Sequence, residues 1–386
     1  MPNRTFLEVW KSIQGRALDD AFRRIENSTP LHIREALTKI PVSSEGFLSL
    51  LSSAADGEIS SIEKSAKELT AQRFGHTVNL YIPLYLSNVC VNNCIYCHFG
   101  KDQPKKEKTL SLEELKGEAE KLLEGGYKNI LLVAGESRRE VPLVFIENSV
   151  KLLKNLGFSF VGIETQAFDV DEYKRLGAAG LDGVTIYQET YDKDIYDTVH
   201  LSGPKKNFEW RIEAAERVAR AGIRFLGMGF LLGLGDWRRE AVNLVSHVKF
   251  IQKRFWQTSV SISFPRIHEA PENFDISHRP SDAEFTRLIL AMRLANPDSP
   301  LTLSTRETPE LRDRLFGVGI NQVSAGSKTS PGAYSTLGPE ETADEQFPVV
   351  DGRSAVDIVK ALRKKGLDQV WKDWDINLKP VSGQAP

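Results

Sequence analysis

Residues 81 to 99 read YIPLYLSNVCVNNCIYCHF and carry all three cysteines of the chain, Cys90, Cys94 and Cys97. An apolar run rich in Ile, Leu and Tyr leads into a C-x3-C-x2-C loop, which places three thiols on one short segment directly after a strand. Three ligands this close can grip a single inorganic centre. A [4Fe-4S] cubane uses four cysteines, so three from the protein leave one iron open to an outside ligand. The competing reading is structural zinc with His98 as fourth ligand, since Cys3His is an ordinary zinc set. Adjacent Cys97 and His98 are poorly placed to reach one tetrahedral ion, and structural zinc sites draw on two separated pairs.

Outward from this loop the pattern alternates. A strand over Val78–Leu86 enters the cysteines, and Ser111 with Glu114 forms a capping box at the start of a helix that stops at Gly125-Gly126. Strands follow at Asn129–Ala134, Phe158–Thr165, Gly183–Tyr187, Ile223–Leu232, Ser259–Phe264, Leu301–Ser304 and Asn321–Ala325. Between them the spacing predicts helices near 143–156, 172–176, 209–221, 239–251, 282–294 and 309–316. Eight strands with intervening helices over about 250 residues meet the requirement of a (β/α)8 TIM-type barrel, an α/β fold. A doubly wound open sheet more often stops at five to seven strands.

Residues 5 to 75 show helical patterning only, as in Phe6, Val9, Trp10 and Ile13. The expected organisation is therefore a helical N-terminal extension over 1–77, the barrel over 78–329, and a C-terminal loop, helix and tail over 330–386. The last part holds a Gly/Pro/Ser-rich loop from Ser330 to Pro339 and an acidic run of Glu340, Glu341, Asp344 and Glu345. A helix near Ser354 to Lys365 follows, then Trp371 and Trp374, expected to pack on the barrel.

The totals narrow the class. The chain has 386 residues, 41% hydrophobic and 26% charged, with a net charge of −2. That balance gives no electrostatic reason to expect nucleic acid or an anionic membrane as partner. Three clustered cysteines make no disulfide framework and fit a reducing compartment. The segment MPNRTFLEVWKSIQG has no long apolar core, and no stretch reaches the roughly 18 apolar residues of a membrane span. A soluble, cytoplasmic protein is expected.

Chemistry in such barrels sits at the carboxyl ends of the strands. Tyr85 and the cysteines follow strand one, Gly135-Glu136 strand two, Glu164 and Gln166 end strand three, and Gln188-Glu189 follow strand four. Arg266 follows strand six, Arg306 strand seven, and Ser324 lies at strand eight.

Longer motifs carry a resemblance. YIPLYLSNVCVNNCIYC, LLVAGE, TIYQETYDKDIY, WRIEAAERVARAGI, SVSISFPR, LSTRETPELRDR, VSAGSKTSPGAY and VWKDWD together resemble the aromatic amino acid lyases of the radical S-adenosylmethionine (SAM) family. The likeness is nearest to the tyrosine lyases of thiamine biosynthesis and spans nearly the whole chain. Tyr96 before the last cysteine fits that family's C-x3-C-x-aromatic-C form; His98 departs from it, since relatives usually carry glycine there.

The resemblance implies that Cys90, Cys94 and Cys97 ligate a [4Fe-4S] cluster whose free iron is chelated by SAM, with Tyr96 against the adenine. It implies that Gly135-Glu136, with Ala134 in front, binds the methionine amine, that Glu189 contacts the ribose, and that Arg211 pairs with the SAM carboxylate. Glu164 is a further candidate for the same pocket. Tyr85, Arg306 and Ser324 match positions that hold the amino acid substrate, Arg306 gripping its carboxylate. The implied reaction splits the Cα–Cβ bond of L-tyrosine into 2-iminoacetate (dehydroglycine) and p-cresol, with 5'-deoxyadenosine and methionine.

A flavodoxin or ferredoxin is the implied electron donor, for which the basic loop of Lys101, Lys105, Lys106 and Lys108 is a candidate dock, and thiazole synthase is the implied recipient of the product. Within the family, a tryptophan lyase shares the substrate positions. The tyrosine lyase of hydrogenase assembly needs cysteines in a C-terminal extension, and this chain has none after Cys97. Outside the family stand a non-catalytic zinc-stabilised barrel and an electron-transfer protein, the missing fourth ligand counting against the latter.

Overall fold

The structure is a computed structural model that describes residues 4–271, 274–276, 278–334 and 344–371. Eight parallel strands close into a barrel: β1 (Thr77–Ser87), β2 (Asn129–Ala134), β3 (Phe160–Glu164), β4 (Gly183–Tyr187), β5 (Phe225–Gly229), β6 (Ser259–Ser263), β7 (Leu301–Leu303) and β8 (Gln322–Ser324). The ring is sealed where β8 pairs with β1, Asn79 opposite Gln322 and Tyr81 opposite Ser324. A ninth strand, β9 (Asp368–Val370), adds to the outside of β1. The expected α/β barrel is therefore present, with strand positions displaced by at most three residues from the sequence reading.

Local chemistry explains why the strands start and stop where they do. The Ser111 hydroxyl accepts from Glu114 N at 3.2 Å while Ser111 N donates to the Glu114 carboxylate at 2.8 Å, the expected reciprocal cap. The helix expected over 209–221 is instead two, Phe208–Ile212 and Ala214–Arg220. The interruption falls two residues after Arg211, whose Nε reaches the Tyr187 carbonyl at 2.7 Å at the barrel mouth. A helix at Lys193–Val199 was not foreseen; Asp192 caps it by accepting from Asp194 N and Ile195 N.

The helices Phe6–Ile13, Arg16–Glu26, Pro30–Leu37, Ser44–Leu50 and Ile59–Phe74 share one apolar core with the barrel. Phe6 stacks on His247 of the helix Trp237–Arg254 with ring centroids 3.6 Å apart, and Trp10 Nε1 donates to Tyr191 O at 3.2 Å. Of the two C-terminal tryptophans, Trp371 meets Tyr127 edge-on; Trp374 lies outside the described residues, as do residues 335–343, which include Glu340 and Glu341.

The inside of the cylinder departs from the branched apolar filling common in such barrels. Small or polar residues, among them Asn79, Asn129, Thr185, Ser261 and Gln322, line a cavity there together with the rings of Tyr81, Phe160, Tyr187 and Phe225. The side-chain oxygens of Asn79 and Asn129 are buried with no hydrogen-bond partner among the described residues. No helix among the described residues is long and apolar enough to cross a membrane.

Candidate active site

The cysteine loop is held by backbone bonds from three sides. Cys97 N donates to Cys94 O at 3.1 Å, Val91 N to Glu136 O at 3.0 Å and Ile95 N to Val199 O at 3.1 Å. A short antiparallel pair, Asn93–Cys94 with His200–Ser202, ties the loop to the segment after β4. Close approach sets the residue type at Gly135: a Cβ there would stand 2.4 Å from Val89 O and 3.2 Å from the Cys90 Cβ. Only glycine lets the end of β2 slide under the first cysteine.

Cys90, Cys94 and Cys97 line one cavity, together with Gly135, Glu136, Glu164, Glu189, Lys205 and Arg211. Among the described residues, no three His, Cys, Asp or Glu side chains are gathered as they would be around a single metal ion. His98 Nδ1 donates to the Gln346 carbonyl at 3.1 Å. Burial pushes all three thiols above their ordinary pKa. A bound cationic centre is what makes such buried sulfurs thiolates.

Around the cysteines runs a chain of alternating charge. Asn92 Nδ2 donates to Glu136 at 2.9 Å, Arg211 Nη1 pairs with the other Glu136 oxygen at 2.9 Å, and Arg211 Nη2 lies 3.7 Å from Glu189. Lys205 Nζ closes the row on Glu189 at 2.6 Å. Burial opposes ionisation of Glu189, yet the charges of Lys205 and Arg211 outweigh it and hold its pKa below the ordinary carboxylate value. Glu189 has φ +69°, the one non-glycine residue at positive φ among those described. A strained backbone at the end of a barrel strand is where function is expected to sit.

Tyr96 lies beside this cavity, lining an adjoining space with Cys97, Glu189 and Lys205. Its hydroxyl donates to His200 Nε2 at 2.9 Å while His200 Nδ1 donates to Tyr196 O at 2.8 Å, which fixes the neutral tautomer. Burial, followed by the charge of Lys205, lowers the His200 pKa to about 3.

A second cavity opens on the other side of Glu164 and is lined by Tyr81, Tyr85, Arg306, Ser324 and Phe347. Tyr85 Oη donates to Gln346 Oε1 at 2.7 Å, and the Arg306 guanidinium lies 3.4 Å over the Phe347 ring. Ser324 hydrogen-bonds Tyr81, whose pKa burial pushes up to about 12. Tyr85, Arg306 and Ser324 thus meet in one pocket, and Glu136, Glu164, Glu189 and Arg211 meet in the cysteine cavity next to it.

Several expectations are corrected. Arg266 does not face the mouth; it is buried against Glu307, Asp282 and the Pro280 carbonyl, a structural pairing. Lys105 is folded inward, its side chain 3% exposed and bonded to Gly100 O, and Lys108 pairs with Glu114, so the basic loop offers less free charge than its sequence suggests. Asn92, Lys205, His200, Gln346 and Phe347 were not singled out from sequence. Asn92 sits inside the cysteine motif and was the one open to discovery there; the others arrive from distant segments.

The fold and site have counterparts. Residues 84–245 match the family model of the radical SAM superfamily, and residues 263–368 match the biotin and thiamin synthesis associated domain. The 2-iminoacetate synthase of Escherichia coli K12 is 38% identical over 373 residues, covering 96% of this chain and 97% of that protein. The homologue in Salmonella typhimurium is equally similar. Among solved structures, HydG, a maturase of the [FeFe]-hydrogenase, superposes with a TM-score of 0.88 at 30% identity, covering 95% of this chain and 82% of that one.

Proposed function

Because the chain belongs to the radical SAM superfamily, within its 2-iminoacetate synthase branch, we propose that it splits L-tyrosine to 2-iminoacetate and p-cresol for the thiazole of thiamine. One observation carries the site reading: the cysteine cavity and the Tyr85–Arg306–Ser324 pocket share a wall made of Val133, Glu164 and Tyr187, of which Glu164 bears the carboxylate. Two ligands can therefore lie side by side in the mouth of the residue 78–329 barrel, as a reaction between them needs.

Cys90, Cys94 and Cys97 would hold the cluster, and Glu136, Glu189 and Arg211 would hold SAM, with Tyr96 beside it. When bound, the pair supplies a hydrogen-abstracting equivalent produced by one-electron reductive cleavage of the sulfonium. The protein's own part is placement. Arg306 offers its planar guanidinium to the substrate carboxylate, oriented by the Phe347 ring beneath it. Tyr85, held by Gln346, and Ser324, held by Tyr81, line the same pocket and limit how the amino acid can turn. Gln346 and Phe347 line the space beside the Cys97 loop, where they would help keep water from the reacting atoms.

The electron would come from a flavodoxin or ferredoxin, and the imine would pass to thiazole synthase. The test is anaerobic reconstitution followed by incubation with SAM, reductant and either L-tyrosine or L-tryptophan. p-Cresol and 5'-deoxyadenosine formed together with tyrosine support the reading. An indolic acid formed from tryptophan, with no p-cresol from tyrosine, would replace it by the tryptophan lyase.

A further inference from the structure

We propose that Glu164 belongs to the substrate rather than to SAM: it holds the α-amino group of the bound amino acid and accepts a proton from it. The inference rests on the amino acid lyase reading above and adds a residue to it.

Charge accounting at the mouth separates Glu164 from its neighbours. Glu136 is satisfied by Asn92 and Arg211, and Glu189 by Lys205 and Arg211, so the cations of the cysteine cavity are already engaged. Glu164 ends β3 between the two cavities, and among the described residues its carboxylate makes no hydrogen bond or ion pair. It also lines the adjoining space beside Tyr96 and Cys97. Arg306, across the substrate pocket, likewise makes no ion pair among the described residues and rests on Phe347. A pocket with an unpaired guanidinium on one wall and an unpaired carboxylate on another is complementary to a zwitterion, carboxylate to Arg306 and ammonium to Glu164.

The surroundings also suit proton transfer. The titratable groups facing Glu164 are Tyr81 and Tyr85 from β1, Tyr187 at the end of β4, Glu189 after it, Lys205 and Arg211 from the segments before β5, and Arg306 after β7. Burial dominates and raises its pKa to about 7, with Glu189 adding to the rise and Arg306, Lys205 and Arg211 opposing it. Near neutral pH the carboxyl can both attract an ammonium and take its proton. The step is balanced: one N–H bond breaks, one O–H bond forms, and the charges +1 and −1 become two neutral groups. The amine left behind has a lone pair to stabilise a nitrogen-centred radical, which an ammonium lacks.

The experiment measures equilibrium binding to cluster-loaded, SAM-bound, unreduced enzyme, so no turnover occurs. L-Tyrosine is compared with 3-(4-hydroxyphenyl)propionate, the same molecule without the amino group, in wild type, Glu164→Gln and Glu164→Asp. Glu164→Gln is expected to weaken tyrosine at least about tenfold, the loss typical of a hydrogen bond to a charged group, while the desamino acid and SAM each stay within about twofold. Glu164→Asp should restore part of the tyrosine affinity, and the acid limb near pH 7 of p-cresol formation should vanish in Glu164→Gln alone. Loss of SAM affinity with tyrosine binding intact would return Glu164 to the SAM pocket and overturn the proposal, as would equal losses for both acids. A wild-type enzyme that binds neither acid would remove the substrate assignment itself.

Discussion

Replacing Lys205 by Met tests whether the charge row around the cysteines is a structural unit. The substitution keeps the length of the stem but removes the cation 2.6 Å from Glu189, leaving that buried carboxylate with Arg211 at 3.7 Å as its nearest counter-charge. Breaking a buried pair by deleting one member costs about 3–5 kcal/mol. The lower end applies here, about 3 kcal/mol, because Arg211 remains. At roughly 2.1 cal/mol/K of unfolding entropy per residue, a chain of this length loses about 4 °C in Tm.

The assay is a thermal melt of the apoprotein under reducing, anaerobic conditions, so that cluster content does not enter. Adding Glu189→Gln to Lys205→Met should recover part of the loss, since Glu136 and Arg211 then stand as a balanced pair. The pH dependence follows from the directions of the shifts. The Glu189 pKa is depressed, so its contribution is present above the unfolded carboxylate value of about 4.3 and lost as pH falls through the folded value. The Lys205 pKa is raised, as the attraction of Glu189 outweighs burial, so its contribution is present below the unfolded value of about 10.4 and lost as pH rises through the folded one. The deficit should therefore be full between about pH 5 and 9 and shrink in acid. A variant melting within about 1 °C of wild type at pH 7, or a double variant no more stable than the single, would refute the reasoning.

Gly135→Ala drives a methyl into the Val89 carbonyl; overpacking of about 1–3 kcal/mol and incomplete cluster loading are expected. Iron and sulfide analysis beside a melt checks both. Phe6→Ala removes the ring stacked on His247 and should destabilise the apoprotein by about 3–5 kcal/mol, read by denaturant unfolding, without changing tyrosine affinity in folded enzyme. Phe347→Leu takes away the platform under Arg306 and Gln346→Ala frees Tyr85, so both should raise the KM for tyrosine more than they lower kcat. The ratio of 5'-deoxyadenosine to p-cresol should also climb, and an unchanged ratio and KM would show that neither residue positions the substrate side.

The barrel was legible because its signals are local. β2 and β4 fall on the residues the sequence marked, since each is an apolar run bounded by glycine or polar residues and each neighbouring helix carries its own cap. The cysteine loop was legible for the same reason: three cysteines within eight residues need no tertiary knowledge to be associated. Strand alternation plus the rule that chemistry gathers at strand ends brought Glu136, Glu189, Arg306 and Ser324 into view before any coordinates. Arg211 came from the resemblance to a known family.

What sequence could not decide is which charges cancel and which remain free. Arg266 and Arg306 both follow barrel strands with the same look, yet one is consumed by Glu307 and the other faces a cavity. Lys205, Gln346 and Phe347 enter the site from segments far apart in the chain, and no local pattern distinguishes them from surface or loop residues. Glu164 and Glu189 likewise read alike; packing gives one two cations and leaves the other unpaired between two cavities. Sequence determined the scaffold and the cysteine loop because hydrophobic period and cysteine spacing act over a few residues. Tertiary structure alone decided the electrostatics, because a buried charge is defined by whichever neighbours the fold brings within a few ångströms of it.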